Sequence, residues 1–504
     1  MSTELPSTEL SSTERASTVV PETETRAPLK QGDRIELVLT DLNDGGDGVG
    51  RFRDLVIFVP DTVPGDRVVA RLTQVKPKYA NAVLEGVLEE SEFRERPRCI
   101  VADKCGGCQW QHVAYHYQLE TKWNQVFQAL VRIGGFESLQ DNRGLINEVF
   151  NVSEPYSYRN KVTYPLSIAE RNKPEAKFRD PMRSIVHGQV VAGYFQKGSH
   201  SLVNLNQCPV QDDRFNIMLS EIKKDIGKRK WAIYDEKTHQ GNVRHISFRV
   251  GRRTGELLLT IVAKDRKMHD LWQQCSEWMQ RFGLVGVCLN INTEKGNVIL
   301  GPETFCIVGR GYLEERFADL KFQVRPDTFF QVYTEQAEAL LKEVQRELQL
   351  TGTETIVDAY CGIGTLSLPL AKQAKSVVGI EIQQSATEQA AANAERNEIT
   401  NVEFLTGSVE TLLSTLDFTP DIVVLDPPRK GCERRVLDTL LGMYPERIVY
   451  VSCNPSTLAR DLKILCANDQ YRLTRVQPAD FFPQTSHVEA AAFLVRATDR
   501  KSVV

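Results

Sequence analysis

The 504-residue sequence has no uninterrupted apolar run that approaches the roughly 20 residues of a membrane-spanning helix. It also has no excess of positive charge, since 62 Lys and Arg are outweighed by 66 Asp and Glu, for a net charge of −4. The first residues contain no apolar core of a secretory signal, and they are rich in glutamate, which organelle-targeting peptides avoid. We therefore expect a cytoplasmic protein without a membrane segment. Its overall charge gives no indication of a nucleic-acid partner.

Cysteine, by contrast, is well represented. Eleven cysteines in a chain without a secretory signal predict a reducing compartment, in which thiols act as ligands or nucleophiles. Residues 1–29 are polar and contain a short duplication, so we expect a disordered tail.

Three further patterns follow the tail and predict a multidomain α/β protein. Residues 30–90 contain short alternating strands with Gly and Pro turns, typical of a small β-barrel of the oligonucleotide-binding (OB) type. Residues 91–320 mix short strands with helices, which predicts a mixed α/β central domain. Residues 321–504 alternate strands with helical segments, which predicts a doubly wound, Rossmann-like parallel sheet.

Two apolar segments near the C-terminus end at reactive residues that are followed by proline. One leads into Asp426-Pro-Pro-Arg429, and the other leads into Cys453-Asn-Pro455. Ligands of open α/β sheets bind outside the carboxyl ends of the strands, so Asp426 and Cys453 are predicted to face one crevice. An acid and a thiol at such a crevice indicate chemistry on a bound substrate.

A cofactor pocket is predicted upstream of this pair. Residues 355–371 have the pattern of a strand, a glycine turn and a helix, and Gly362 and Gly364 would let the backbone approach a ligand. The next strand ends at Glu381, where a carboxylate can accept hydrogen bonds from ribose hydroxyls. This pattern resembles that of class I S-adenosyl-L-methionine (AdoMet) methyltransferases. The alternative is a Rossmann-like domain that holds another nucleotide or none.

The thiol at position 453 suits methylation of a pyrimidine carbon. Carbon 5 of uracil is a poor nucleophile until a thiolate adds to carbon 6, and a base must later remove the carbon 5 proton. Because a free cysteine has a pKa of about 8.5, the site should lower that value or supply a base. Glu489, which opens the last predicted strand, is the candidate base. His487 competes with it, although a positioning or packing role is more common for such a histidine.

A second group of residues has the spacing of a metal site, namely Cys99, Cys105, Cys108 and Cys208. The two glycines between Cys105 and Cys108 permit a tight turn around one centre. Four thiolates suit zinc or a [4Fe–4S] cluster, and the spacing alone favours zinc. Ordinary buried thiols are the remaining alternative.

Together these motifs resemble those of the RNA (uracil-5)-methyltransferase family over residues 31–504, in particular the branch that acts on 23S ribosomal RNA and joins a TRAM domain to an iron–sulfur cluster. The segments that carry the resemblance are Asp47-Gly-Val-Gly50, Phe329-Phe-Gln-Val332, Asp358-Ala-Tyr-Cys-Gly-Ile-Gly364, Asp426-Pro-Pro-Arg-Lys-Gly431, Ser452-Cys-Asn-Pro455 and His487-Val-Glu489.

The resemblance implies a role for each matching residue. Contacts to AdoMet are expected from Gln331, Tyr360, Glu381 and Asp426. Cys453 is expected to be the nucleophile and Glu489 the proton acceptor. The resemblance also favours a [4Fe–4S] cluster over zinc at the four cysteines, with an architectural role because methyl transfer needs no redox step.

The implied activity is the formation of 5-methyluridine in a structured RNA, with 23S ribosomal RNA as the expected partner and a target uridine that leaves its stack. Arg429 and Lys430 are expected to position RNA or to support their own loop, and we expect a monomer. Transfer RNA stays open as the target, and so does methylation of cytosine carbon 5 or of an amine. A non-catalytic RNA-binding or ribosome-assembly factor is a further alternative, which the combination of Asp426, Cys453 and Glu489 argues against.

Overall fold

The computed structural model describes residues 28–169 and 188–497, so the predicted tail lies outside the described residues except for its last two positions. The strands are β1 Arg34–Leu42, β2 Gly48–Phe52, β3 Leu55–Val59, β4 Arg67–Val75, β5 Tyr79–Glu89, β6 Lys161–Ile168, β7 Val190–Ala192, β8 Val243–Val250, β9 Leu257–Ala263, β10 Leu284–Ile291, β11 Glu303–Gly309, β12 Leu313–Phe317, β13 Leu320–Val324, β14 Thr355–Ala359, β15 Ser376–Glu381, β16 Val402–Thr406, β17 Ile422–Leu425, β18 Arg447–Ser452, β19 Tyr471–Ala479 and β20 Glu489–Arg496. The α-helices are α1 Tyr115–Arg132, α2 Arg214–Lys228, α3 Leu271–Phe282, α4 Thr334–Leu348, α5 Ser367–Ala371, α6 Gln384–Arg396, α7 Val409–Leu412, α8 Arg434–Met443 and α9 Pro455–Leu465.

The first five strands close into a barrel with the order β1-β2-β3-β5-β4, in which β4 also pairs with β1. Alternate residues of β1 fill its interior, among them Ile35, Leu37 and Leu39, as the two-residue period of a strand requires. The glycine-rich turn before β2 is held from outside the barrel, because the Trp110 indole donates a hydrogen bond to the Gly46 carbonyl at 3.1 Å. The structure thus has the five-stranded OB-type barrel that the sequence predicted.

The central part of the chain forms a six-stranded sheet with the order β11-β10-β9-β8-β6-β7. Only the β9–β10 pair is parallel, so the sheet is mixed, as predicted. Every residue of β9 is buried. Helices α2 and α3 contribute Phe215, Leu219 and Trp278 to the core of this sheet.

The C-terminal sheet has seven strands with the order β16-β15-β14-β17-β18-β20-β19. Strands β14 to β18 are parallel, which confirms the Rossmann-like prediction, and β20 is inserted in the antiparallel direction between β18 and β19. The strand order reverses between β14 and β17, so the carboxyl ends of these strands flank a crevice of the kind in which α/β proteins bind ligands.

Helix α1 precedes the central sheet in sequence, yet it packs on the C-terminal sheet. Its residues Phe127 and Leu130 share a hydrophobic core with α9 residues Leu458 and Leu462. Likewise, Phe317 of β12 lies in one core with α4. Because neighbouring parts of the chain share cores, the predicted domain boundaries at residues 90 and 320 stay predictions.

None of the helices in residues 28–169 and 188–497 combines the length and the apolar character needed to cross a membrane.

Candidate active site and cysteine cavity

The turn after β14 holds three residues in the left-handed region of backbone space, namely Tyr360 (φ 69°), Gly362 (φ 56°) and Gly364 (φ 87°). This conformation is rare for a bulky residue such as tyrosine, and such strain clusters at ligand sites. A Cβ atom on Gly362 would meet no atom within 4 Å, so a ligand can approach the backbone there. A Cβ atom on Gly364 would lie 3.1 Å from Leu368 Cγ. Gly364 therefore packs against α5, and the prediction that its backbone also admits a ligand stays a prediction.

Glu381 stands at the end of β15, beside this turn. Its carboxylate accepts hydrogen bonds from the backbone N–H groups of Gly362 (3.2 Å) and Gln383 (2.8 Å). The following residue, Ile382, is 72% exposed, although it is a large apolar side chain. Sequence reasoning missed Ile382; the signal that could have found it is an apolar residue placed directly after the acidic strand end.

Two acids meet where the strand order reverses. Asp358 of β14 is fully buried, the Ser367 hydroxyl donates to it, and burial raises its pKa to about 7. Asp426 follows β17, and its backbone N–H donates to the Ala359 carbonyl at 3.3 Å. Burial, together with the nearby Asp358, raises the pKa of Asp426 to about 7. Near neutral pH the two carboxyl groups are therefore only partly ionised.

Gln331 lies in the segment before α4, and a residue of the central sheet region fixes it there. The Asn160 side-chain amide donates to the Gln331 carbonyl (2.8 Å) and to the Thr334 hydroxyl (2.9 Å). The Asn160 backbone N–H donates to the Val332 carbonyl at 2.9 Å. Sequence reasoning missed Asn160, since no local pattern links it to Gln331.

Cys453 and Glu489 occupy the adjoining ends of β18 and β20. Ser452 pairs with Ala490 in this antiparallel ladder, and the same register continued by one residue places Cys453 opposite Glu489. Asp426 precedes a loop that is held against the residue after Cys453, because the Asn454 amide donates to the Arg429 carbonyl at 3.2 Å. The predicted meeting of Asp426 and Cys453 thus has a structural basis in the neighbouring parallel strands β17 and β18.

The charges around Cys453 determine which form of the thiol is stable. Burial, and then the carboxyl groups of Glu489 and Asp426, raise the pKa of the Cys453 thiol, whereas Arg429 lowers it. Glu489 is only 5% exposed, and burial followed by Asp426 raises its pKa to about 8. The structure does not show the first predicted way of activating the cysteine, which is a lowered pKa of the thiol. The second predicted way is a neighbouring base, and the Glu489 carboxyl group lies beside the thiol.

The loop from Asp480 to Val488 connects β19 to β20 and borders Cys453. Lys122, which is fully buried, donates to the Asp480 carboxylate at 2.7 Å, and the Tyr115 hydroxyl donates to the same carboxylate at 2.9 Å. The exposed His487 side chain lines the cleft beside Cys453. The loop that ends at Glu489 is thus anchored on α1.

A cleft of about 470 Å³ opens at Cys453, and it extends well beyond the catalytic sheet. Its walls come from the barrel (Asp41 and Asp44), from helix α1 and from the loops around Arg429 and His487. No local pattern indicates that α1 borders this site, because the helix lies more than 300 positions before Cys453.

Comparison with known proteins decides the family. Residues 185–497 match the model for tRNA (uracil-5-)-methyltransferase, and residues 28–84 match the TRAM domain. The chain is 56% identical to an uncharacterized RNA methyltransferase of Nostoc sp. over 478 residues, which cover 95% of this chain and 99% of the relative. A relative from Listeria monocytogenes, also described as an uncharacterized RNA methyltransferase, is 37% identical and covers 92% of this chain and 98% of its own.

The chain belongs to the tRNA (uracil-5-)-methyltransferase family. Among solved structures it is similar to the Pyrococcus abyssi tRNA (uracil-54, C5)-methyltransferase in complex with S-adenosyl-L-homocysteine, with a TM-score of 0.70 and 28% identity over 91% of this chain and 99% of that one. The prediction of an AdoMet-dependent RNA (uracil-5-)-methyltransferase with a TRAM domain is therefore confirmed.

In this methyltransferase the four predicted ligand cysteines line one cavity of about 50 Å³, next to Arg159 and Gln111. The Cys99 backbone N–H donates to the Gln111 side chain at 3.0 Å, and the Cys208 backbone N–H donates to the Asn216 side chain at 3.0 Å. Within the described ranges, however, no three His, Cys, Asp or Glu side chains are arranged to hold a metal ion. The structure brings the four cysteines together, and the iron–sulfur cluster stays a prediction.

Proposed function

We propose that this enzyme forms 5-methyluridine in a structured RNA by a covalent route, with Cys453 as the nucleophile and Glu489 as the base. The observation that carries the proposal is the register of β18 and β20, which sets the thiol opposite a buried carboxyl group at one strand edge. A pyrimidine ring inserted at this edge would meet a nucleophile and a proton acceptor together. A cleft of about 470 Å³ opens at Cys453.

The steps follow from the chemistry of uracil. The Cys453 thiolate adds to carbon 6, and the electrons of the carbon 5–carbon 6 double bond move into an enolate. Carbon 5 then takes a methyl group from the sulfonium sulfur of AdoMet. The carbon–sulfur bond to that methyl group breaks, which leaves a neutral thioether. Glu489 takes the proton from carbon 5, the double bond forms again and the thiolate leaves. One methyl group is gained and one proton is lost, through Glu489, to solvent.

Electrostatic repulsion orders these steps. After burial, the Glu489 carboxyl group is the largest cause that raises the pKa of the Cys453 thiol, so the thiolate forms most readily while Glu489 is protonated. Once the sulfur has bonded to carbon 6, its negative charge is gone and Glu489 loses its proton more readily. The same pair can therefore serve first as a nucleophile and then as a base.

Four residues are proposed to hold AdoMet: Gln331, Tyr360, Glu381 and Asp426. The open space beside Gly362 and the backbone-anchored Glu381 carboxylate fit a nucleoside with ribose hydroxyls. The exposed Ile382 offers an apolar surface for an adenine ring. The similar P. abyssi enzyme was crystallised with S-adenosyl-L-homocysteine, which supports AdoMet as the methyl donor.

Calorimetric titration with AdoMet tests the cofactor site. Glu381→Gln should raise the Kd at least tenfold, because hydrogen bonds to a charged group contribute about 1.5–3 kcal/mol. Glu388→Gln, an exposed position on α6 close in sequence, is the matched control and should leave the Kd unchanged. Equal Kd values for the two variants would remove Glu381 from the site.

The RNA target proposed from the sequence is 23S ribosomal RNA. A transfer RNA target is the second candidate, and one observation favours it: the similar P. abyssi structure is that of an enzyme acting on uracil 54 of tRNA. Mapping of 5-methyluridine in ribosomal and transfer RNA fractions from cells with and without the gene decides between them. The fraction that loses the modification contains the substrate.

We also propose that Cys99, Cys105, Cys108 and Cys208 hold a [4Fe–4S] cluster. The Nε atom of Arg159, which borders the cysteine cavity, is buried without a hydrogen-bond partner in the described part of the chain. A guanidinium at this position suits a negatively charged, thiolate-bound group better than four neutral thiols. When bound, the cluster would cross-link residues 99–108 to the distant Cys208 loop.

An architectural role for the cluster has a direct connection to the active site. The backbone N–H groups of Gln109 and Trp110, directly after Cys108, both donate to the Gln484 carbonyl, at 3.1 and 3.0 Å. The cysteine turn therefore holds the loop that leads to Glu489. Iron and sulfide analysis of anaerobically purified protein should find four of each per chain, and Cys208→Ser should lose them and increase amide exchange in residues 480–488. The exposed Cys306, changed to Ser, is the control. Zinc without sulfide would overturn the cluster.

A further inference from the structure

One wall of the cleft beside Cys453 is formed by helix α1, and its side chains there are mostly uncharged amides. Asn124, Gln125, Gln128 and Arg132 all border the cleft. Gln128 follows Asn124 by four residues and Gln125 by three, and Arg132 follows Gln128 by four, so these side chains share one face of the helix. The opposite, apolar face of α1 packs on the C-terminal sheet, so the amide face is fixed in place.

Gln125 is the residue of this wall whose hydrogen bonding is incomplete. Its side-chain nitrogen is buried and has no hydrogen-bond partner among the residues that the structure describes. An unsatisfied buried donor destabilises the protein, and a ligand that accepts its hydrogen bond removes that cost. The terminal torsion of glutamine is broad, so the amide can rotate toward a ligand in the cleft. By contrast, the Gln128 amide already donates to Asn124 at 3.3 Å.

Charge on the other walls determines which part of an RNA fits against α1. Asp41 and Asp44 of the barrel are exposed and border the same cleft, so they repel phosphate groups. The two cations that line the cleft are Arg132, at the end of α1, and Arg429, beside Cys453. A neutral nucleobase therefore fits between the amides and the aspartates, with its phosphates toward the two arginines.

We propose that the amide wall of α1 reads a second base of the RNA, adjacent to the target uridine, and that Gln125 is its main reading residue. The inference rests on the proposed function, because the cleft receives a base adjacent to the target only if the target uridine binds at Cys453. A side-chain amide can donate and accept at once, which matches the adjacent acceptor and donor on an adenine edge. Unstacked bases of RNA loops expose such edges to side chains. The expected adjacent base is thus adenine.

The test uses RNA stem–loops that contain the mapped target uridine and each of the four bases at either flanking position. Wild-type enzyme should methylate one adenine-flanked series about tenfold better in kcat/KM than the others, since one bidentate base contact discriminates by roughly 1–3 kcal/mol. Gln125→Ala should reduce this preference to within about threefold, chiefly through KM, while the Kd for AdoMet stays unchanged. The matched control is Glu120→Ala, an exposed α1 position outside the cleft, which should keep the preference.

A second variant keeps the test decisive if Gln125→Ala folds poorly. Gln125→Glu retains the acceptor and removes the donor, so it should shift the preference toward cytosine, whose exocyclic amine donates. If Gln125→Ala and Gln125→Glu both methylate uridine with the wild-type base preference, the reading role is overturned and the proposed function stands. If wild-type enzyme forms no 5-methyluridine in any RNA fraction, both the proposed function and this inference are overturned.

Discussion

Cys453 and Glu489 face each other across the ends of two antiparallel strands, one residue beyond the Ser452–Ala490 pair. Burial and then the Glu489 carboxyl group raise the pKa of the Cys453 thiol, while burial and then Asp426 raise the pKa of Glu489 to about 8. The pairing of the proposed nucleophile with the proposed base is thus set by strand register, which is as rigid as the sheet itself.

Cys453→Ala should abolish methyl transfer, since no thiolate remains to activate carbon 5. AdoMet should still bind with its wild-type Kd, because Cys453 is not among the residues proposed to hold it. The measurement is transfer of a radiolabelled methyl group from AdoMet to RNA, together with calorimetric titration. Cys306→Ala, at an exposed cysteine far from the cleft, should retain full activity. Normal turnover by the Cys453 variant would exclude the covalent route.

Glu489→Gln should complete methylation but stall before release, because the carbon 5 proton has no acceptor. The expected result is an enzyme–RNA species that survives denaturing electrophoresis and whose peptide map places the link at Cys453. Wild-type enzyme should give the same species only with RNA that contains 5-fluorouridine, since fluorine cannot leave as a proton. A Glu489→Gln enzyme with normal turnover and no adduct would require another base, with His487 the next candidate.

The same substitution should change how stability depends on pH. A carboxyl group whose folded pKa lies above its unfolded value costs stability as pH rises from the unfolded pKa, near 4.5, through the folded one, near 8. Glu489→Gln should therefore unfold at nearly the wild-type temperature at pH 4.5 and at a higher temperature at pH 8.5, by the equivalent of about a few kcal/mol. Thermal denaturation at the two pH values measures this. A constant difference between variant and wild type would mean that Glu489 titrates normally.

Arg429 should set the pH profile of the reaction. Its guanidinium lowers the pKa of both Cys453 and Glu489, so Arg429→Gln should shift the rising limb of kcat against pH toward alkaline pH. Lys430→Gln, one position along the same loop, is the control, because Lys430 pairs with Glu433 at 2.8 Å instead. Identical profiles for wild type and Arg429→Gln would assign Arg429 to RNA binding alone.

Lys122→Met should destabilise the protein by about 3–5 kcal/mol, because it leaves the fully buried Asp480 carboxylate without its cation. Urea denaturation measures the loss. The exposed Lys224→Met, which breaks a surface pair with Glu221, should cost under about 1 kcal/mol. The double variant Lys122→Met with Asp480→Leu should recover much of the stability, since it removes both buried charges. Recovery of stability without recovery of kcat would show that the pair also positions the loop before Glu489.

Local patterns in the sequence predicted most of the catalytic sheet. Asp426, Cys453 and Glu381 follow apolar strand-length runs, and such runs form parallel strands whose carboxyl ends meet at one edge. The OB-type barrel was predictable for the same reason, because strand alternation and glycine turns depend on neighbouring residues. The packing of Gly364 against α5 was not predictable, since a glycine needed for packing and a glycine needed for ligand approach look the same in sequence.

By itself, then, the sequence determined which residue types stand at the strand ends and which chemistry they can perform. Only the tertiary structure decided what surrounds them: helix α1 as a wall of the cleft, the Lys122–Asp480 pair across 358 positions, and the raised pKa values of Cys453 and Glu489. The physical reason is that strand and turn formation depends on local backbone geometry. Burial and charge proximity depend instead on which distant segments pack together, and a short stretch of sequence does not determine that packing.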